Sequence, residues 1–489
     1  MEHIGSGTAK HSNLSSGGDK NVAGKDCLSA LPDDVLVLIL SGLCTPEAAQ
    51  ASVLSRRWRR VWALLPALRF CPTPEPHRLR DFLAAGEVPL SNLSVEYKDA
   101  DPESLSIWLP AAVRRVSGGL ALVNFAINAN GENVAAREGA VELPCFEKAT
   151  FISLRLGLLG VVVPPAGVFA CLTSLYLHGV RFHGPCDELG DAFSSPRCPC
   201  LEMLSISDTR GLDSLTVGSN SLVRMKLSKL VGLRRLVVVA PALIRLTVVS
   251  CFVHASSSEP VANITAPRLR FLDWSDAYHQ SFVQFGNIAR LGHLGNLIFL
   301  VYGRDFVCNG ASLRLLQRFK VMECLTITLL YLPEIDEYQY FMDDMTVLPN
   351  FSILHLVVIA NGHAFGASSF HVLRMCTSIR RLVLKFPTCT NFEFICSSGC
   401  ICDQSPNWKT EELQLNRLQE VEIKELRGSE YEHAFVKRLF SWTPALKQVT
   451  VTFSSTVTES KIKELMQMFQ GISRPGICMK FKNFHKVSE

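Results

Sequence analysis

The unit Leu-x-x-Leu-x-(apolar) returns along most of this 489-residue chain and constrains its fold more than any other feature. Clear copies are Leu172/Leu175/Leu177, Leu201/Leu204/Ile206, Leu222/Met225/Leu227, Leu243/Leu246/Val248 and Leu269/Leu272/Trp274. Later ones are Met322/Leu325/Ile327, Phe351/Leu354/Leu356, Ile379/Leu382/Leu384, Leu418/Val421/Ile423 and Leu446/Val449/Val451. The alternation inside each copy is that of a strand with one buried face. Copies at 201, 222 and 243 start 21 residues apart, and weaker ones, Leu212/Leu215/Val217 and Leu233/Leu236/Val238, fall between them at the same interval. The interval is within the leucine-rich range, and the interleaved weaker copies give each coil two extended segments, one per face, rather than a strand and a full helix. One coil cannot bury its own leucines, and stacking on its neighbours completes the core. The expectation is a curved solenoid with a parallel sheet on one side. Where the spacing widens, helices or long loops fill the return. The acidic, tyrosine-rich stretch 328–348 is such an excursion, read either as a recognition loop or as a solvated insertion.

Composition excludes several classes. At 48% hydrophobic and 19% charged the chain is too apolar to be disordered. Lys+Arg 49 against Asp+Glu 45 leaves +4, too small a surplus for binding nucleic acid or a membrane surface by bulk charge. The uncharged stretch from Leu156 to Leu177 is long enough to span a bilayer, yet Pro164-Pro165 breaks it near the middle. Two short buried strands joined by a turn account for it, and no membrane partner is expected. Residues 1–26 are polar and Gly/Ser-rich, without the apolar core of a signal peptide, and read as a disordered tail. With no sign of secretion, the 17 cysteines are expected to be reduced and the sequons at Asn13, Asn92, Asn263 and Asn350 unglycosylated. The chain is expected in the nucleus, the cytoplasm or both.

Residues 28–70 are organised differently. Pro32 suits the first position of a helix, with Asp33 and Asp34 at the positive end of its dipole. Val35, Leu36, Ile39, Leu40 and Leu43 form one apolar stripe, and Gly42 lies near the helix end. Thr45-Pro46-Glu47 starts a second short helix, and Ser55 caps a third carrying Trp58, Val61, Trp62 and Leu65. A bundle of this size buries too little surface to stand comfortably alone, so part of its apolar surface is expected to meet a partner.

Those residues resemble an F-box. Leu31-Pro32-Asp33-Asp34-Val35-Leu36, Ile39-Leu40, Ala51-Ser52-Val53-Leu54-Ser55-Arg56-Arg57-Trp58, Trp62 and Pro66-x-Leu68-x-Phe70 match the land-plant form in order. The resemblance implies docking to a Skp-type adaptor, and through it to a cullin–RING ubiquitin ligase. The implied adaptor contacts are Leu31, Pro32, Val35, Leu36, Ile39, Leu43, Val53 and Leu54. Each has two roles open to it, bundle core or adaptor contact, with Pro32 leaning to contact. Arg56-Arg57-Trp58-Arg59-Arg60 could grip phosphates, but such a run on an amphipathic helix is usually its solvated face, and no nucleic-acid partner is expected.

Residues 71–79 hold three prolines and read as an extended connector; Leu105–Val116 suits a helix and Leu120–Ile127 a strand. Near the C-terminus, Cys400-Ile401-Cys402-Asp403, Pro406-Asn407-Trp408-Lys409, Leu418–Ile423 and Glu432-x-Ala434–Phe440 resemble the FBD region that accompanies F-box and leucine-rich segments in plant proteins. Read from the residues, 418–426, 446–453 and 477–481 are strands, with helices at 430–441 and 458–469. This β-α-β-α-β unit would cap the open end of the sheet. The implied architecture is α+β: tail 1–26, F-box 27–70, linker and first solenoid segment 71–140, leucine-rich repeats 141–395, and FBD-like region 396–489.

No catalytic motif is present: no Walker loop, G-x-G-x-x-G after a strand, H-E-x-x-H or G-x-S-x-G. Cys396-x3-Cys400-x-Cys402 offers three thiols where zinc wants four ligands. His371 and His433 are distant in sequence and nothing places Cys198 or Cys200 nearby, so no metal and no cofactor are expected. The expected function is that of a non-enzymatic substrate receptor of a ubiquitin ligase, the F-box docking the adaptor and the repeats holding an unidentified target protein. The alternative is a leucine-rich scaffold that binds the adaptor without ubiquitination.

Overall fold

The structure, a computed structural model, describes residues 30–51, 53, 55–125, 139–164, 166–183, 192–252, 260–286, 288, 291–303, 307–335, 339–387, 396, 399–403 and 408–482. The expected tail 1–26 lies outside this set. The chain divides into two compact units between Leu65 and Pro66.

Among its described residues the first unit holds three short helices, α1 (Asp33–Ser41), α2 (Thr45–Ala51) and α3 (Arg56–Ala63). Pro32 is the N-cap of α1 rather than its first residue, and its carbonyl accepts from the Leu36 N–H at 3.1 Å. Asp33 and Asp34 occupy the first turn, where the free N–H groups favour negative charge. Glu47 accepts from the Cys44 N–H at the start of α2, and the Ser55 hydroxyl accepts from the Trp58 N–H at the start of α3. Leu36, Leu40, Ala48, Trp58, Val61 and Leu65 are buried.

The second unit is built on one parallel sheet of 17 strands among the described residues. It starts with Ala67–Phe70, which the sequence places at the end of the F-box but which pairs with Leu90–Lys98. Each strand lies beside its sequence neighbour on this face, and the repeat positions stand in register. One buried row runs Leu68, Leu93, Leu120, Ile152, Leu175, Leu204, Met225, Leu246, Leu272 and on through Leu325, Leu354, Leu382, Val421 and Val449. A second row two residues later includes Leu177, Ile206, Leu227, Val248 and Trp274. Burying each leucine stabilises by about 1.5–3 kcal/mol, which no coil collects without a neighbour on either side.

The return side follows the spacing. In the short coils it is a second parallel sheet, Ser214–Gly218, Arg235–Val239, Val261–Thr265 and Val283–Phe285, its first two strands built from the weaker copies of the repeat. Where the spacing is wide it is helical: Pro102–Arg115, Val307–Arg318, Gly366–Arg374, Glu430–Trp442 and Glu459–Ile472. Residues 71–79 are not wholly extended, because a further helix begins at Pro76 and runs to Ala85. Its first turn needs no N–H from Pro76, so a proline-rich stretch can end in a helix start. The 156–177 stretch divides between strands Phe151–Val162 and Ser174–Phe182, and no helix among the described residues is long and apolar enough to cross a membrane. In the described part of 328–348, Gln339–Tyr340 pairs with Tyr302–Gly303, and Met342 and Met345 are buried. The excursion therefore packs back on the repeats.

At the C-terminal end, strands Glu420–Leu426, Gln448–Phe453 and Cys478–Lys482 alternate with the last two helices, and all three continue the same sheet. Ser429 and Glu432 form a capping box at one helix, and Thr458 caps the other. The unit caps by extension: it carries the sheet out to a strand bearing Lys480 and Lys482, a charged edge that resists pairing with another chain.

Candidate functional site

Helix α1 is apolar on two faces. Leu36 and Leu40, 0% and 2% exposed, are buried, while Leu38, 73% exposed, stands on the opposite side and Ile39, 41% exposed, on the flank between them. Val35 is half-buried on that side, Leu43 is exposed just past the C-cap, and Pro32 and Leu31 precede it, exposed and half-buried. A second apolar face on a short helix marks a binding surface rather than a core. Of the residues expected to meet an adaptor, Pro32, Ile39, Leu43 and Val53 are exposed, Leu31 and Val35 are half-buried, and Leu36 is fully buried; Leu54 lies outside the described residues. Leu38 was not among them, although the unbroken run Val35–Leu40 puts apolar side chains on every face of the helix. Within the arginine cluster, Arg57 donates to Asp33 at 2.8 Å and to the Leu31 carbonyl, tying α3 to the start of α1. Its guanidinium is engaged with the bundle rather than offered to a phosphate.

The face of the large sheet away from the leucine rows carries clusters of polar and charged side chains among scattered apolar ones. Asp273 lies 3.5 Å from both Arg245 and His293 and accepts from Thr247, while Arg245 stacks on Phe271 at 4.3 Å. Burial would raise the Asp273 carboxyl, but the His293 hydrogen bond and the neighbouring positive groups hold it below the usual value. Burial, helped by His293, Lys424 and Arg381, pushes the His355 ring down, so it is neutral at pH 7. Arg381 and Lys424 both reach Glu422, at 2.9 and 3.2 Å. Mixed signs along one face suit a protein surface with complementary charges.

Two arrangements here resemble catalytic ones, and one fails on geometry, the other on the burial of its thiol. Ser207 Oγ is 3.0 Å and Asp208 3.4 Å from His178, but both approach Nδ1. A triad histidine needs its two partners on opposite ring nitrogens. Cys324, paired with His293 across the strands, is pushed up to about 11 by burial, so its thiol is not a nucleophile at neutral pH.

The third grouping is one the sequence did not yield. His363, 3% exposed after strand Ile353–Ile359, reaches the thiols of Cys396, Cys400 and Cys402, and all four donor atoms lie within 4.8 Å of one another. The spacing alone offers three thiol ligands, with His371 and His433 the nearest histidines in sequence. His371 instead bonds the Met345 carbonyl at 2.8 Å, and His433 belongs to the helix Glu430–Trp442.

Family comparisons match these parts. The F-box domain model matches residues 28–69, and the model for the LRR repeats of the FBD-associated F-box protein At5g56370 matches residues 119–291. The chain therefore carries an F-box and FBD-associated leucine-rich repeats, and it resembles plant F-box/leucine-rich-repeat proteins. Its relatives include the F-box/FBD/LRR-repeat protein At1g80470 of Arabidopsis thaliana, 26% identical over 74% of this chain and 73% of that protein. The FBD-associated F-box protein At5g38590 of the same plant is 31% identical over 41% of this chain and 50% of that protein, and F-box/LRR-repeat protein At2g42720 is 29% identical over 41% and 48%. The chain spans about half the length of most of the curated relatives it matches. In this F-box/leucine-rich-repeat chain the two-faced helix α1 sits inside the F-box match, and the paired-sheet coils sit inside the repeat match. F-box proteins are typically substrate receptors of Skp–cullin–F-box ligases and generally adaptors rather than enzymes.

Proposed function

We propose that this chain is the substrate-recognition subunit of a Skp–cullin–F-box ubiquitin ligase. The outward apolar face of α1 docks a Skp-type adaptor, and the face of the large sheet away from the leucine rows holds a target protein. The observation that carries this is the second apolar face of α1, which a free three-helix bundle has no use for. The chain supplies no bond chemistry: it raises the local concentration of a target lysine near the transferred ubiquitin. A location in the nucleus or cytoplasm goes with this role.

The test is reconstitution of the full chain with purified adaptor, cullin, RING subunit and charged ubiquitin-conjugating enzyme. Chain-dependent ubiquitination of proteins held by the repeats supports a receptor. Adaptor binding without conjugation leaves the plain scaffold. Two variants separate docking from folding. Leu31→Ala with Pro32→Ala removes the leading contacts, and Leu38→Glu places a charge on a side chain that is 73% exposed. Each is expected to weaken adaptor binding at least ~30-fold, from a hot-spot cost of about 2 kcal/mol or more. The thermal transition of the repeats should not move. Stoichiometric co-purification of both variants with the adaptor would place the interface elsewhere.

A further inference from the structure

We propose that His363 Nδ1 and the Cys396, Cys400 and Cys402 thiolates bind one Zn²⁺ ion in a closed tetrahedral site that staples the FBD-like region to the repeats. This inference is independent of the ligase reading.

The donor set is that of a structural site, Cys3His with no open position. Cys396 Sγ lies 3.2 Å and Cys400 Sγ 3.6 Å from His363 Nδ1, and Cys396 Sγ lies 3.5 Å from Cys402 Sγ. A tetrahedral zinc with its usual bond lengths sets such ligands about 3.6 Å apart for S···N and about 3.8 Å for S···S. The four atoms thus need only a slight expansion to admit the ion. The sulfur–sulfur separation is far beyond a disulfide bond, and neither cysteine is in one.

The histidine tautomer is fixed in the required sense. Its Nε2 sits 3.1 Å from the Pro333 carbonyl oxygen, which can only accept, so Nε2 carries the hydrogen and Nδ1 turns its lone pair on the sulfurs. Tyr331 stacks on the ring at 5.9 Å and 17°, holding its plane. One lone pair accepts from one thiol, yet two sulfurs crowd it; a cation at the centre satisfies all four groups together. On binding, the S–H bonds break, three protons leave to solvent and three Zn–S bonds form.

The fold explains the need. Parallel neighbours are usually joined through a helix. The connection from strand Arg381–Lys385 to strand Glu420–Leu426 has only the 3-10 turn Ile401–Asp403 among its described residues. His363 belongs to the loop after Ile353–Ile359, so the ion would join two loops lying one strand apart. Trp408 closes the same connection over Gly366, where any Cβ would stand 2.1 Å from the indole.

The test begins with the unaltered full chain, expressed with zinc and purified without chelator in reducing buffer. The prediction is roughly one zinc per chain by elemental mass spectrometry. Replacement by Co²⁺ should give the visible bands of a tetrahedral thiolate complex. Alkylation of the native protein should spare Cys396, Cys400 and Cys402 until a strong chelator is added, while the exposed Cys171, Cys200 and Cys478 react throughout. Cys402→Ser and His363→Ala should lose the metal and melt several degrees lower; the alkylation result stands even if they fail to fold. Chain purified without bound zinc, zinc retained unchanged in both variants, or a Cys396–Cys402 disulfide in non-reducing peptide mapping would each overturn the site.

Discussion

Trp274→Ala is expected to destabilise the repeat unit by about 3–5 kcal/mol, the usual cost of removing a buried tryptophan. Trp274 is 1% exposed on strand Phe271–Ser275 and fills the space between the two sheets of the short coils. Its ring meets Phe285 of the second sheet edge-on at 5.3 Å and Phe252 at 6.2 Å. Phe285 in turn stacks on Tyr278 at 6.0 Å, so alanine opens a cavity whose rigid aromatic walls cannot close it. Trp274→Phe should recover most of the loss, because the indole N–H is buried without a hydrogen-bond partner and its removal forfeits none. Urea unfolding followed by circular dichroism checks both. A loss below about 1 kcal/mol for alanine would mean that the two sheets do not depend on this contact.

Truncation after Pro406 is expected to make the chain aggregate. It keeps all four residues of the Cys3His cluster but removes Trp408 and the last three strands. Arg381–Lys385 then becomes an edge, a row of unpaired N–H and C=O groups open to pairing with another chain. The same cut strips Phe365 of Phe435, 5.6 Å away, and Phe370 of Trp442, 5.1 Å away, uncovering aromatic surface. Size-exclusion chromatography with light scattering reads the outcome. A soluble, monomeric truncation with an unchanged melting temperature would show that the C-terminal unit does not protect the sheet.

What was legible in the sequence and what was not divide along one physical line. A strand with one buried face writes its own alternation, so the rows through Leu204, Met225 and Leu246 were readable directly. The two extended segments per short coil are readable from the weaker copies at Leu212/Leu215/Val217 and Leu233/Leu236/Val238, which fall between the strong ones. The helices expected at 430–441 and 458–469 stand at Glu430–Trp442 and Glu459–Ile472, where local caps at Ser429 and Thr458 fix their starts. The helix starting at Pro76 was missed because proline signals both a connector and a helix start, and its apolar contacts, buried Leu79 and Leu83, arise only in the folded unit. At α1 a stripe was read where the run Val35–Leu40 makes two faces, which hid Leu38. His363 was illegible for a different reason. It stands 33 residues before Cys396, and only the side-by-side order of strands 353–359, 381–385 and 420–426 brings the two loops together. No spacing rule encodes that neighbourhood.

The account's central claim is that α1 presents its outer apolar face to an adaptor. The most direct measurement is the affinity of the full-length chain for a purified Skp-type adaptor, taken at low and at high salt. The account predicts a stoichiometric complex whose affinity changes little with salt, because buried apolar surface is not screened and Arg57 is engaged within the bundle. No complex, or one that dissolves as salt rises, would contradict it.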